Sequence, residues 1–308
     1  MARRFRYDRL VTERANPASR HLDRLSPAGI AVLMNREDRR AVAAVGRATR
    51  EIAAAVELIV AALRAGGRLV FVGAGTSGRL GVLEAAECPP TFGTPPRLVQ
   101  AIMAGGRAAV FRSREGAEDD ARAAARAVRA RVRAGDAVVG VSASGVTPFV
   151  RAGLRAARAR GAATVLVACT PDAARGLARV VIALAPGPEV LAGSTRLKAG
   201  TATKLVLNTL TTASMARLGK MYGNRMVDMQ PRSHKLRERA VRLVAELGGV
   251  RVPRARRLLA AAGGRVPVAI VMTRRDLRAD AAARALRAAG GSLRSVIEPR
   301  GVRKKFRA

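Results

Sequence analysis

The sequence predicts an α/β fold built on a doubly wound, parallel, five-stranded sheet flanked by helices, and three observations predict it. Short runs of β-branched and aliphatic residues alternate with helical patterns between about residues 68 and 218. The connections between them are short, as parallel crossover units require. Two of those connections carry glycine and hydroxyl side chains, and each leads from a strand into a helix.

Taken in order, residues 1–25 read as a polar arm, and Ser26-Pro27 as an N-cap followed by a first-turn proline. A helical pattern follows over 27–64, with a break expected at Asn35-Arg36-Glu37-Asp38 and a stop at Gly66-Gly67. Residues 68–72 form the first strand, 73–78 a glycine loop, and 79–87 a helix that Pro89-Pro90 should end. The second strand is 98–103. An Ala/Arg helix over 118–132 opens with acids that suit the helix dipole. The third strand is 137–141, followed by a helix at 148–160, strands at 164–168 and 180–184, and a long apolar helix at 197–218. Beyond 236 the pattern becomes short helices at 236–247, 255–262, 266–272 and near 279–289, punctuated by glycine pairs. The expected organisation is an arm (1–25), a sheet domain (26–235), a small helical domain (236–298) and a basic tail (299–308).

Composition removes several function classes. Among 308 residues, 57 Lys+Arg against 22 Asp+Glu give a net charge of +35. The basic residues are nearly all Arg and lie along nearly every helix, aromatics make up only 3%, and no zinc finger or RNP-type strand occurs, so specific nucleic-acid binding is not expected. The tail at 302–308 is the best place for an incidental anionic contact. The charge should still draw anionic small molecules inward. No apolar stretch is long enough for a membrane span, and the basic N-terminus lacks the apolar segment of a secretory signal. Two cysteines (Cys88, Cys169) and two histidines (His21, His234) offer neither a disulfide scaffold nor a His/Cys metal site, and a cytoplasmic setting is expected.

The loop Gly73-Ala74-Gly75-Thr76-Ser77-Gly78 matches the G-x-G-x-x-G pattern between a strand and a helix. A dinucleotide site would place an acid at the end of the next strand, but that strand runs into Ile102-Met103-Ala104-Gly105-Gly106. Thr76 and Ser77, with backbone N–H groups at a helix start, suit a phosphate monoester instead. A second loop, Ser142-Ala143-Ser144-Gly145-Val146-Thr147, repeats the chemistry after the third strand. On a parallel sheet the two can converge on one ligand, and the combination reads as a phosphosugar site. Gly75, Thr76, Ser77, Gly78, Ser142, Ser144 and Thr147 are the candidate ligands. With no metal motif and no nucleophile–base pair, acid–base chemistry would fall to carboxylates. Glu87 and Glu118 are the candidates, although each could equally be an ordinary helix-end acid.

Longer motifs carry a resemblance. The run from Val72-Gly73-Ala74-Gly75-Thr76-Ser77-Gly78-Arg79-Leu80-Gly81 through Ala86-Glu87-Cys88-Pro89-Pro90-Thr91-Phe92-Gly93 resembles the N-acetylmuramic acid 6-phosphate etherase family. Glu115-Gly116-Ala117-Glu118-Asp119, Gly193-Ser194-Thr195-Arg196-Leu197-Lys198-Ala199-Gly200-Thr201, Lys204-Leu205-Val206-Leu207-Asn208 and Gly219-Lys220-Met221-Tyr222-Gly223-Asn224 extend it, in order, from about residue 10 to 297. The resemblance implies a sugar isomerase (SIS) fold with a small helical, UBA-like C-terminal domain. It also implies a cytoplasmic homodimer that needs no metal or cofactor. The implied reaction removes the D-lactyl ether by elimination and water addition, yielding N-acetylglucosamine 6-phosphate and D-lactate in cell-wall sugar recycling. It casts Glu87 as the acid that protonates departing lactate, Glu118 as the second carboxylate and C2 base, and the hydroxyl loops as phosphate ligands. Val146 stands where the family pattern has an arginine, Thr170 where it has an asparagine, Arg114 where an apolar residue is common, and Arg232-Ser233-His234 departs from a Thr-Asn-Ala-like segment. The alternative is a non-catalytic phosphosugar sensor of the glucokinase-regulatory type, in which the same loops bind and the carboxylates are idle.

Overall fold

The structure, a computed structural model, describes residues 10–170, 176–229 and 233–298. Its residues group into two compact units, 1–86 with 96–214 and 87–95 with 215–308. The basic tail and Arg232 lie outside the described residues.

The first unit holds a five-stranded, wholly parallel sheet: β1 (Leu69–Gly73), β2 (Val99–Met103), β3 (Ala137–Val141), β4 (Ala163–Ala168) and β5 (Val180–Ala183). Their order in space is β2-β1-β3-β4-β5. Each residue of β1 and β3 is buried, because a parallel sheet is covered on both faces, and such strands read as continuous apolar runs. One face, carrying Val70, Val72, Ile102, Val138 and Leu166, packs on α4 (Ala121–Arg131) and α5 (Pro148–Ala159) through Val128, Val150 and Leu154. On the other face lies α2 (Thr49–Arg64), which buries Ile52, Ile59, Val60 and Leu63. At the amino edge of the sheet, Arg68 joins β1 to β3 through Asp136. Its backbone N–H and side chain donate to that carboxylate at 2.9, 3.2 and 2.6 Å. Burial opposes ionisation of Asp136, but these donors and the Arg133 N–H overcome it and hold the carboxyl below the usual range.

The chain winds from β1 outward to β2, then crosses back to β3 and winds the other way. β1 and β3 are therefore neighbours whose following loops diverge, which makes a topological switch point. Gly73 pairs with Val141, so both loops leave the sheet at the same level.

Helices depart from the sequence expectation in three places. The pattern over 27–64 breaks at Ala48, between α1 (Pro27–Arg47) and α2, and not at residues 35–38. Asn35, Arg36 and Arg39 face solvent, while Glu37 turns inward to a buried partner, so the polar cluster interrupts nothing. The helix after β1, α3 (Gly75–Phe92), starts inside the glycine loop and runs through Pro89 and Pro90. A proline removes a donor from its own turn without forbidding helical dihedrals, and the Gly93 N–H still reaches Pro89 O. Glu118 precedes α4 in a short 3₁₀ turn, Ala117–Asp119, and Asp120 is the actual N-cap, accepting from Ala123 N at 2.7 Å. The last helix of the sheet unit, α6 (Lys198–Arg217), agrees with expectation to within a residue at each end.

The second unit is helical: α7 (His234–Gly248), α8 (Val252–Ala261), α9 (Val266–Arg274), α10 (Ala279–Ala288) and a short α11 (Leu293–Ile297) enclose Ala240, Val244, Leu259, Ile270, Leu286 and Val296. Ser233 caps α7 by accepting from Leu236 N, and exposed His234 is its first residue. Segment 87–95 also belongs here. Gly93 fits only as glycine, since its φ is +64° and a Cβ would stand 2.0 Å from Asp228 O.

Candidate functional site

The two hydroxyl loops meet. Gly75, Thr76 and Ser77 from the first loop and Ser142, Ser144 and Thr147 from the second line one cavity of about 340 Å³ at the switch point. Glycine chemistry shapes the first loop. Gly75 takes φ +52°, a left-handed value that suits glycine, and opens α3. A Cβ on Gly78 would come within 2.8 Å of Gly73 O, so α3 lies directly against the end of β1. Gly78 is thus a packing residue and does not line the cavity, while Gly75, Thr76 and Ser77, the first residues of α3, do.

The second loop is tied by its own hydroxyls. Ser142 is buried, and its Oγ lies 2.8 Å from Thr147 Oγ1 and accepts from Gly145 N at 3.0 Å. Ser144 Oγ accepts from Val146 N at 3.3 Å. Val146 is buried, and Arg151, one turn into α5, donates its guanidinium to Gly145 O at 3.2 Å. Pro148 at the first helical position leaves no N–H to satisfy there.

Glu118 and Asp119 complete the cavity wall. Partial burial, then the negative neighbours Asp119 and Glu115, push the Glu118 carboxyl above its ordinary range. A carboxylate so placed is a better base near neutral pH than an ordinary glutamate. Glu118 also lines an adjoining hollow of about 180 Å³ with Arg79, Ser113 and Arg114. Arg79 donates to Ala109 O and Val110 O, which fixes the segment between β2 and Glu118. Glu87, expected to share the site with Glu118, is exposed on α3, five residues before its end, and is not among the residues that line the cavity or the adjoining hollow.

Several wall residues carry no role in the sequence reading. Leu10, Thr12 and Glu13 of the arm line the same cavity, as do Gly193 and Thr195. Thr12 O accepts from Gly193 N at 3.1 Å, which seats the arm there. The Gly193-Ser194-Thr195 run was a visible signal, but the arm's polar composition was not. Larger hollows of about 770 and 1010 Å³ occur elsewhere in the first unit, but their walls are mostly alanine, glycine and aliphatic side chains with scattered charges. Convergent donors, not size, choose the site. Among the described residues no group of three or more His, Cys, Asp or Glu is placed to hold a metal. No helix among them is long and apolar enough to cross a membrane. Burial pushes the Cys169 thiol up to about 12, so it is an inert packing residue.

Residues 51–158 match the family model for the glucokinase regulatory protein N-terminal SIS domain. Full-length similarity points further. An N-acetylmuramic acid 6-phosphate etherase of Gloeobacter violaceus is 53% identical over 94% of this chain and 95% of its own. Etherases of Mycolicibacterium smegmatis and Synechocystis are 51% and 50% identical over 94% of this chain, covering 97% and 95% of theirs. Relatives that share one name and are matched almost end to end favour the enzyme over the regulator. The chain belongs to the N-acetylmuramic acid 6-phosphate etherase family.

Proposed function

We propose that this chain is a carbon–oxygen lyase that removes the D-lactyl ether from N-acetylmuramic acid 6-phosphate, giving N-acetylglucosamine 6-phosphate and D-lactate. The observation that carries this reading is the convergence of two hydroxyl loops and Glu118 on one cavity at the switch point, in a chain about half identical to named etherases. Thr76, Ser77, Ser142, Ser144 and Thr147, with the α3 N-terminus, hold the phosphate.

Chemistry then follows from charge. In the open-chain sugar the C2–H lies next to an aldehyde, and ionised Glu118 takes that proton. The resulting electron pair expels the C3 oxygen, which leaves as lactate after protonation. Glu87, by its place in the family motif, supplies that proton and then activates the water that adds to C3, while Glu118 returns its proton to C2. One water enters and one lactate leaves. Positioned acid–base groups each contribute on the order of 10²–10⁴ in rate. We further propose that the protein works as a homodimer in the cytoplasm, in recovery of cell-wall sugars, with no metal or cofactor.

The test is incubation of purified protein with N-acetylmuramic acid 6-phosphate and enzymatic measurement of D-lactate. Glu87→Gln is expected to abolish lactate release while binding of the sugar phosphate survives. Full turnover in that variant would remove Glu87 from the acid's role, and no lactate from the wild type would remove the function.

A further inference from the structure

Glu13 belongs to the arm and no step above uses it, yet this exposed residue lines the same cavity as Glu118. The arm is a built wall. Thr12 is buried, and its carbonyl accepts from Gly193 N at 3.1 Å. Asn16 is buried and donates to Pro188 O at 3.1 Å and to Glu37 Oε2 at 2.8 Å. That carboxylate is paired with fully buried Lys198 at 2.7 Å. Lys198 and Ala199 in turn donate their backbone N–H groups to Glu189, each at 2.9 Å. The arm, α1, the segment before α6 and α6 itself are thereby locked together, and the lock fixes where Glu13 stands. Glu13 Oε1 accepts from the Thr12 hydroxyl at 3.1 Å, and Oε2 lies against the backbone of Gly193, 3.3 Å from where a Cβ would be.

An ionised carboxylate only accepts hydrogen bonds. It repels a phosphate and a lactyl carboxylate alike, so its counterpart in the cavity must be a neutral donor. A phosphosugar offers such donors as hydroxyls and an amide N–H. The hydroxyl loops and Glu13 thus divide the ligand: donors for its anionic end, an acceptor for its neutral polyol end.

We propose that Glu13 is a substrate-contacting specificity residue that accepts hydrogen bonds from the neutral hydroxyl or amide donors of the bound hexose. The proposal rests on the phosphosugar reading of the same cavity. It explains why a polar arm is held by a buried ion pair, and it assigns the arm to discrimination among phosphorylated compounds.

The experiment compares wild type with Glu13→Gln and Glu13→Ala, measuring KM and kcat for N-acetylmuramic acid 6-phosphate. Competitive inhibition constants for N-acetylglucosamine 6-phosphate and inorganic phosphate are measured alongside. A hydrogen bond to a charged group is worth about ten-fold or more in binding. KM and the sugar-phosphate constant should therefore rise by about that factor in Glu13→Ala and less in Glu13→Gln. The constant for inorganic phosphate should stay within about two-fold, since Glu13 does not serve the anionic end. Unchanged sugar-phosphate binding in both variants of an active enzyme overturns this inference alone. So does a parallel loss of phosphate binding, which would mean that the arm acts only by supporting the loops. A wild type that neither turns over nor binds a hexose 6-phosphate overturns the underlying reading and this one with it.

Discussion

The two hydroxyl loops occupy equivalent places, each between a parallel strand and a helix, and are held in shape by different means. The first is shaped by absence of side chain: Gly75 supplies a left-handed turn, and Gly78 lets α3 touch the end of β1. The second is shaped by side chains: Ser142, Ser144 and Thr147 bond to one another and to the N–H groups of Gly145 and Val146. One loop is a steric construction and the other a hydrogen-bonded one. A steric loop fails when anything is added, whereas a hydrogen-bonded loop fails when something is removed.

Three experiments sharpen that contrast. The largest effect is expected from Gly78→Ala, whose new Cβ would lie 2.8 Å from Gly73 O and 3.0 Å from Met103 Cγ. Backbone cannot step aside as a side chain can, so denaturant unfolding should show a loss near or above the usual 1–3 kcal/mol of an overpacked site. Wild-type stability in this variant would mean that α3 does not lean on β1. Ser142→Ala comes next. It removes the partner of the Thr147 hydroxyl and one of the two acceptors of the Gly145 N–H, whose other acceptor is Ser142 O at 3.1 Å, which costs about 1 kcal/mol, and it should raise KM for the phosphosugar with little change in kcat. A fall in kcat alone would move Ser142 away from the phosphate. The smallest effect is a pH shift. Glu118 must be ionised to act as a base, and its raised pKa places the acid limb of kcat/KM above that of an ordinary glutamate. Replacing its negative neighbours, Asp119→Asn with Glu115→Gln, removes the repulsion that opposes ionisation, so the limb should move to lower pH. An immobile limb would show that another group limits the rate.

The sheet was readable because buried parallel strands leave an unmistakable trace: β1 and β3 are short, uniformly apolar and bounded by glycine or charge. Both loops were readable because hydroxyls and glycines cluster there. Helix ends were less so. The α3 start lay hidden within the glycine pattern, and Pro89-Pro90 looked like a stop although the turn could carry on without their donors. What could not be read was any feature resting on distant pairing. Glu37 looked like part of a solvated break, because nothing nearby reveals that Lys198, 161 residues later, meets it in the interior. Glu84 likewise gives no sign in sequence that Thr211 and Lys204 of α6 will donate to it. The arm's contribution to the cavity was lost with Glu37, since Asn16 hangs on the same carboxylate.

That shared carboxylate changes what it means to trim the protein. A shortened clone begun at Ser26 would look conservative, because among the described residues it loses only three single-turn 3₁₀ helices and keeps every α-helix and strand. It would in fact delete one wall of the binding chamber and open the side of a water-excluded salt bridge. An interior charge deprived of a neighbour is far costlier than a frayed end. Residues 10–25 are better regarded as a keystone than as an overhang.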